Sequence, residues 1–151
     1  MILVDDHLIA HRLATGMLGS TLPGAPTGVA TTCSWWWRLS ASLAGTPGGA
    51  ITRHFAAVEL DARAALQQTI ARLPDILLIL DLRDLIPAMA VLAAEHGLNR
   101  LAAEAVVAAE VLGADLVVRQ DTPKIREIAA ARGVPYRLDS VSRVGVDGTK
   151  P

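Results

Sequence analysis

Acids, histidines and tryptophans are the residues of this chain whose type and spacing could do chemistry. Asp5 and Asp6 close an apolar run, Ile2-Leu3-Val4, and Asp121 follows a second run, Leu116-Val117-Val118, across Arg119-Gln120. In a parallel sheet, side chains just past the carboxyl ends of strands converge on one crevice. Two acid-ended strands therefore make a candidate site for a hard divalent cation, which takes oxygen ligands. Asp5 and Asp121 are the lead pair. The competing use of Asp5 and Asp6 is helix capping, and of Asp121 a turn acid before Thr122-Pro123.

His7 and His11 are four residues apart, so on a helix they share one face, one turn apart. That spacing holds zinc when a further ligand joins it. Leu8-Ile9-Ala10 between them lacks the Glu of a metalloprotease helix, and no third ligand is evident. His54 and His96 read as surface or helix-end residues. Trp35, Trp36 and Trp37 are consecutive and fan over about 200° of a helix, so one buried face cannot hold all three. At least one is expected to meet a loop, a second chain or a ligand. Trp is enriched at interface anchors and also stacks on unpaired bases, where Arg38 could touch phosphate.

The composition sets bounds on these options. A chain of 151 residues with 52% apolar content is expected to be one domain able to bury a core without staples. A net charge of −1 gives no global pull towards nucleic acid or an anionic membrane. The charge is uneven, however. From Arg119 to Arg143 the bases Arg119, Lys124, Arg126, Arg132, Arg137 and Arg143 outnumber the acids Asp121, Glu127 and Asp139. Cys33 is alone, so no intramolecular disulfide or cysteine metal cluster forms, and a cytoplasmic location is expected. No apolar run reaches the length of a membrane span.

Several elements must position these residues. Strands are expected at Ile2–Val4, Ile76–Leu80, Asp115–Val118 and Tyr136–Leu138, the second being apolar enough to be buried on both faces. Helices are expected at His7–Leu18, from Thr32 or Ser34 through the tryptophans to Leu43, and at Ile51–Ala57 and Asp61–Leu73. Further helices follow at Leu82–His96, bent near Pro87, at Arg100–Leu112, capped by Asn99, and from Thr122-Pro123 to Arg132. Leu22–Gly28 and Gly45–Gly49 read as breaks, and residues 141–151 as a flexible C-terminal tail after a domain over 1–140. Strands separated by helices mean a three-layer α/β/α domain with a central parallel sheet of about four strands.

The order of these pieces resembles a PIN domain, the fold of many toxin-type bacterial ribonucleases, over about Met1 to Leu138. The carrying motifs are strand–Asp5, a Ser/Thr-led helix, Gly97-Leu98-Asn99, the alanine-rich helix, Leu112-Gly113-Ala114, the strand before Asp121, and Gly133-Val134-Pro135. The resemblance implies RNA cleavage by carboxylates holding Mg2+ or Mn2+, with Asp5 and Asp121 as catalytic, metal-holding residues and Asp6 and Glu104 as additional metal ligands. It also implies a possible antitoxin or other protein partner. Two positions depart from the family pattern. The second helix has no acid over Arg38–Leu43, and Ala102 stands where the family has an Asp. The expected function is a metal-dependent ribonuclease with a degraded acidic site. The alternative is a catalytically inactive module of the same fold, binding RNA or a protein. On either reading Trp35, Trp36, Trp37, Arg38, Arg119 and Lys124 are the expected contacts to RNA or to a partner, and a homodimer is expected through the tryptophan helix.

Overall fold

A computed structural model describes residues 1–16, 28–44, 51–56, 58–75 and 77–139. The tail expected at 141–151, the break at 45–49 and most of the loop at 22–28 lie outside the described residues.

The fold is a three-layer α/β/α sandwich. Its sheet holds five parallel strands among the described residues: β1 (Ile2–Val4), β2 (Val29–Thr32), β3 (Leu78–Leu80), β4 (Asp115–Val118) and β5 (Tyr136–Leu138), in the order β3-β2-β1-β4-β5. All four strands expected from sequence are present and parallel, but β3 is an edge strand with Leu78 exposed rather than one buried on both faces. β2 is an addition. Among the described residues it is the next element after α1. Its sequence, Val-Ala-Thr-Thr, carries no apolar run, but Thr31 donates its hydroxyl to the Val4 carbonyl at 2.9 Å and so becomes buried without an unpaired polar atom.

The helices are α1 (Asp6–Ala14), α2 (Cys33–Ala44), α3 (Leu60–Ala71), α4 (Ile86–His96), α5 (Arg100–Leu112) and α6 (Pro123–Ala131), with short 3-10 turns at Thr52–Phe55 and Leu73–Asp75. Their ends follow local chemistry. The Asp5 carboxylate caps α1 by accepting from the Leu8 amide at 2.8 Å, and Asn99 caps α5 through Ala102 at 2.9 Å. Thr32 caps α2 by accepting from Trp35 at 3.3 Å. Gly97 and Gly113 end α4 and α5 at φ 57, a left-handed conformation that costs glycine little. Pro87 does not bend a longer helix: it lies in the first turn of α4, where its missing N–H has no helical partner to lose. Thr122 occupies the cap position of α6 without a side-chain bond to it.

Strand alternation assigns the two faces. Ile2, Val4 and Val117 pack with α1, α2 and α3 through Leu8, Ile9, Leu39, Leu43 and Ile70. Leu3, Leu116 and Val118 pack on the other face with α4, α5 and α6. There α5 lies close, its run Ala102–Ala109 wholly buried. Among the described residues no helix is long and apolar enough to cross a membrane.

The chain winds outward from β1 to β2 and β3, then returns to the other side of β1 for β4 and β5. The crevice beyond the carboxyl ends of β1 and β4 is thus the topological switch point, where open parallel sheets bind ligands.

Candidate functional site

A cleft of about 420 Å3 opens at that switch point. Asp5, Asp6, His7 and Arg38 line one side. Asn99, the cap of α5, and Ala102 and Ala105 within it line a second, and Gln120, Thr122 and Lys124, after β4, line the third. Trp35 closes part of the floor. The starts of α1, α5 and α6 all face this space.

Asp5 is nearly enclosed, and the backbone uses both its oxygens. One accepts from Leu8, the other from the Arg119 amide at 3.1 Å, so the carboxylate ties β1 to the segment leaving β4. Burial nevertheless outweighs these bonds and pushes its pKa from 3.8 up to about 6. Asp6 is 1% exposed and stands 3.0 Å from the Arg38 guanidinium, off the line of a hydrogen bond. Burial, together with the neighbouring Asp5 charge, raises its pKa to about 7 against the pull of Arg38. Arg38 is on α2, in the stretch that the sequence shows to be free of acid.

The other expected site residues lie apart from this group. Glu104 is buried and faces the start of α2, where it accepts from the Ser34 amide at 3.2 Å; its second oxygen has no protein partner. A carboxylate there complements the positive end of the helix. Asp121 is exposed, holds Arg126 at 2.8 Å and accepts from the Tyr136 hydroxyl at 3.3 Å. Neither lines the cleft. Lys124 does, donating to the Gly97 carbonyl at 3.1 Å. Arg119 turns its guanidinium to the Asp139 carbonyl at 3.1 Å.

The tryptophans divide as a fan must. Trp35 is buried in the α5-side core, and Trp36 is partly buried with its indole N–H donating to the Ile70 carbonyl at 3.0 Å. Trp37 is 65% exposed beside a second hollow lined by Cys33, Leu82 and Arg100.

Sequence reasoning named the acids, Arg38 and Lys124, but gave Asn99 and Thr122 only capping roles and assigned none to Gln120. The signal for all three was their place at the starts of α5 and α6. Among the described residues, no group of three His, Cys, Asp or Glu side chains is placed to hold a metal ion. As a donor set for Mg2+ or Mn2+ the cleft is a poor fit: Asp5 is bonded to two amides, Asp6 faces a cation, and Ala102 offers no ligand. No family model matches the chain, and no curated protein matches it.

Proposed function

We propose that this domain binds single-stranded RNA through the switch-point cleft, as a PIN-like module without efficient metal-dependent cleavage. The observation that carries this reading is the Arg38–Asp6 pair inside the cleft, facing a wall where Ala102 stands in place of an acid. A guanidinium there suits a phosphate better than a second cation. Three helix starts add oriented N–H groups and partial positive charge, which favour anions. Lys124 adds a formal charge, and Asn99 and Gln120 add groups able to hydrogen-bond base edges.

Metal-dependent ribonuclease activity is the second reading. It is favoured by Asp5 and Asp6, adjacent, enclosed and both raised towards neutrality at the end of β1, the usual position for a reacting group. The exposed Trp37 is the anchor offered to a protein partner, an antitoxin-like chain or a second copy. A cytoplasmic site of action accompanies both readings, on the lone Cys33.

Fluorescence anisotropy with a labelled single-stranded RNA tests the reading. Binding is expected to persist in a chelator, to weaken as salt rises, and to fall in Arg38→Met and Lys124→Ala. Cleavage that appears only with Mn2+ and disappears in Asp5→Asn would move the conclusion to the second reading. No binding under any of these conditions would overturn both.

A further inference from the structure

The second hollow, of about 350 Å3, is lined by Cys33, Ser34, Trp37, Leu82 and Arg100. Three of these residues are chain neighbours of residues that line the cleft. Ser34 adjoins Trp35, Trp37 adjoins Arg38, and Arg100 adjoins Asn99. Consecutive Cα atoms are about 3.8 Å apart, so the two depressions adjoin along the first half of α2 and at the start of α5. Trp37 is 65% exposed. Arg100, exposed beside it, makes no ion pair among the described residues.

We propose that this hollow is a second nucleotide subsite, where a base of the bound RNA stacks on Trp37 and its phosphate pairs with Arg100. The inference rests on the single-stranded RNA reading of the cleft and extends it to the neighbouring nucleotide. An open indole by itself would suit a protein face equally well. The unpaired guanidinium next to it, and the continuity with a cleft that holds Arg38, favour a nucleotide. A cation that tracks the backbone, with an aromatic ring under the base, is how single strands are held without reading their sequence. The nearby charges leave Arg100 available. Glu104, one turn along α5, is 1% exposed and spends an oxygen on the Ser34 amide. Asp81 and Arg83 flank Leu82 with opposite signs. Every base has a π-face, so the subsite is expected to tolerate any base.

Anisotropy on the full chain tests this with a labelled oligouridylate of about eight nucleotides, within the usual site size of single-strand binders. Trp37→Ala is expected to weaken binding about five- to a hundredfold, the effect of losing one stacked base. Trp37→Phe, which keeps a ring, should lose less. Arg100→Ala should weaken binding and lower the salt dependence by about one released ion. Val91→Ala, on the exposed side of α4, should change nothing. Cys33 is the sole thiol of the chain and lines the hollow, so its alkylation should slow when the wild type holds this RNA. Circular dichroism on each variant separates lost binding from lost fold. Unchanged affinity in folded Trp37→Ala or Arg100→Ala, or a Cys33 that the RNA leaves unprotected, would overturn the subsite; a fall in Arg38→Met would then leave the cleft reading standing. A loss in Trp37→Ala that tracks dissociation of a dimer in light scattering would give the indole to a protein face and overturn it too. No RNA binding by the wild type would overturn both readings.

Discussion

Asp5 and Asp121 follow neighbouring strands, β1 and β4, yet the fold gives them different surroundings. Asp5 comes directly after the last residue of β1, where the chain is still held by the sheet, and its carboxylate is captured by amides of α1 and of the segment after β4. Asp121 comes three residues after β4 ends. By then the chain has left the sheet, and its side chain meets Arg126 and Tyr136 near solvent. Adjacent strands bring two acids to one edge of the sheet, but the intervening residues decide whether both enter the crevice. A strand-end acid is thus a dependable site marker only when no loop separates it from the ladder.

Substitution can sharpen this contrast. Asp5→Ala removes a cap worth about 1 kcal/mol and leaves the Arg119 amide short of an acceptor, at about 1–3 kcal/mol. Relief of the buried charge offsets part of this. A net loss of about 2 kcal/mol is expected in urea unfolding, with Asp5→Asn milder because it keeps an acceptor. A loss in Asp5→Ala no greater than in Asp121→Ala would erase the distinction between the two ends.

A second contrast is titrational. The folded chain holds the Asp5 and Asp6 protons up to about pH 6 and 7, whereas the unfolded chain releases them near 3.8. The stability they contribute is full below about pH 4 and lost as pH rises through 6 to 7. His7 acts in the opposite direction. Burial, with His54 and Arg38 nearby, lowers it from 6.5 to about 4, so its part of the stability rises with pH across that interval; His11 and His54 are lowered too. The opposed slopes partly cancel in the wild type. Asp6→Asn should make melting temperature climb more steeply from pH 4 to 6.5, and His7→Gln should make it climb less or fall. Identical profiles for all three proteins would show that these groups titrate together or not at all.

The smallest effect is expected at Asp121. Its pair with Arg126 is largely solvated, with side chains 35% and 55% exposed. Asp121→Ala should cost less than about 1 kcal/mol, the range for surface ion pairs, and should leave RNA affinity within error. A marked loss of RNA binding or of cleavage would return Asp121 to the site.

The same principle explains what the sequence made legible. β3 and β4 were visible as apolar runs, and α5 matched end to end because Asn99 and Gly113 mark its ends chemically. β2 was hidden because its Thr31 and Thr32 look like cap residues. Thr32 does cap α2, while Thr31 becomes strand-like only once the Val4 carbonyl is beside it. At the site, Asp5, Asp6 and Lys124 were readable because each sits at or near a helix or strand end, and Arg38 because it follows the tryptophan run in the middle of α2. The meeting of His54 with His7 was not readable, since no local pattern joins residues so far apart in the chain.

The placement of β1 at the middle of the sheet has a kinetic consequence. Ile2 pairs with Val29 on one side and with Asp115 on the other. The first pairing closes a short loop; the second must wait for most of the chain, and closing the longer loop costs more entropy. Half of the sheet can therefore assemble early around β1 with its other edge still open. The cleft, which needs the Asp5 to Arg119 bond across that late seam, is among the last parts of the molecule to form.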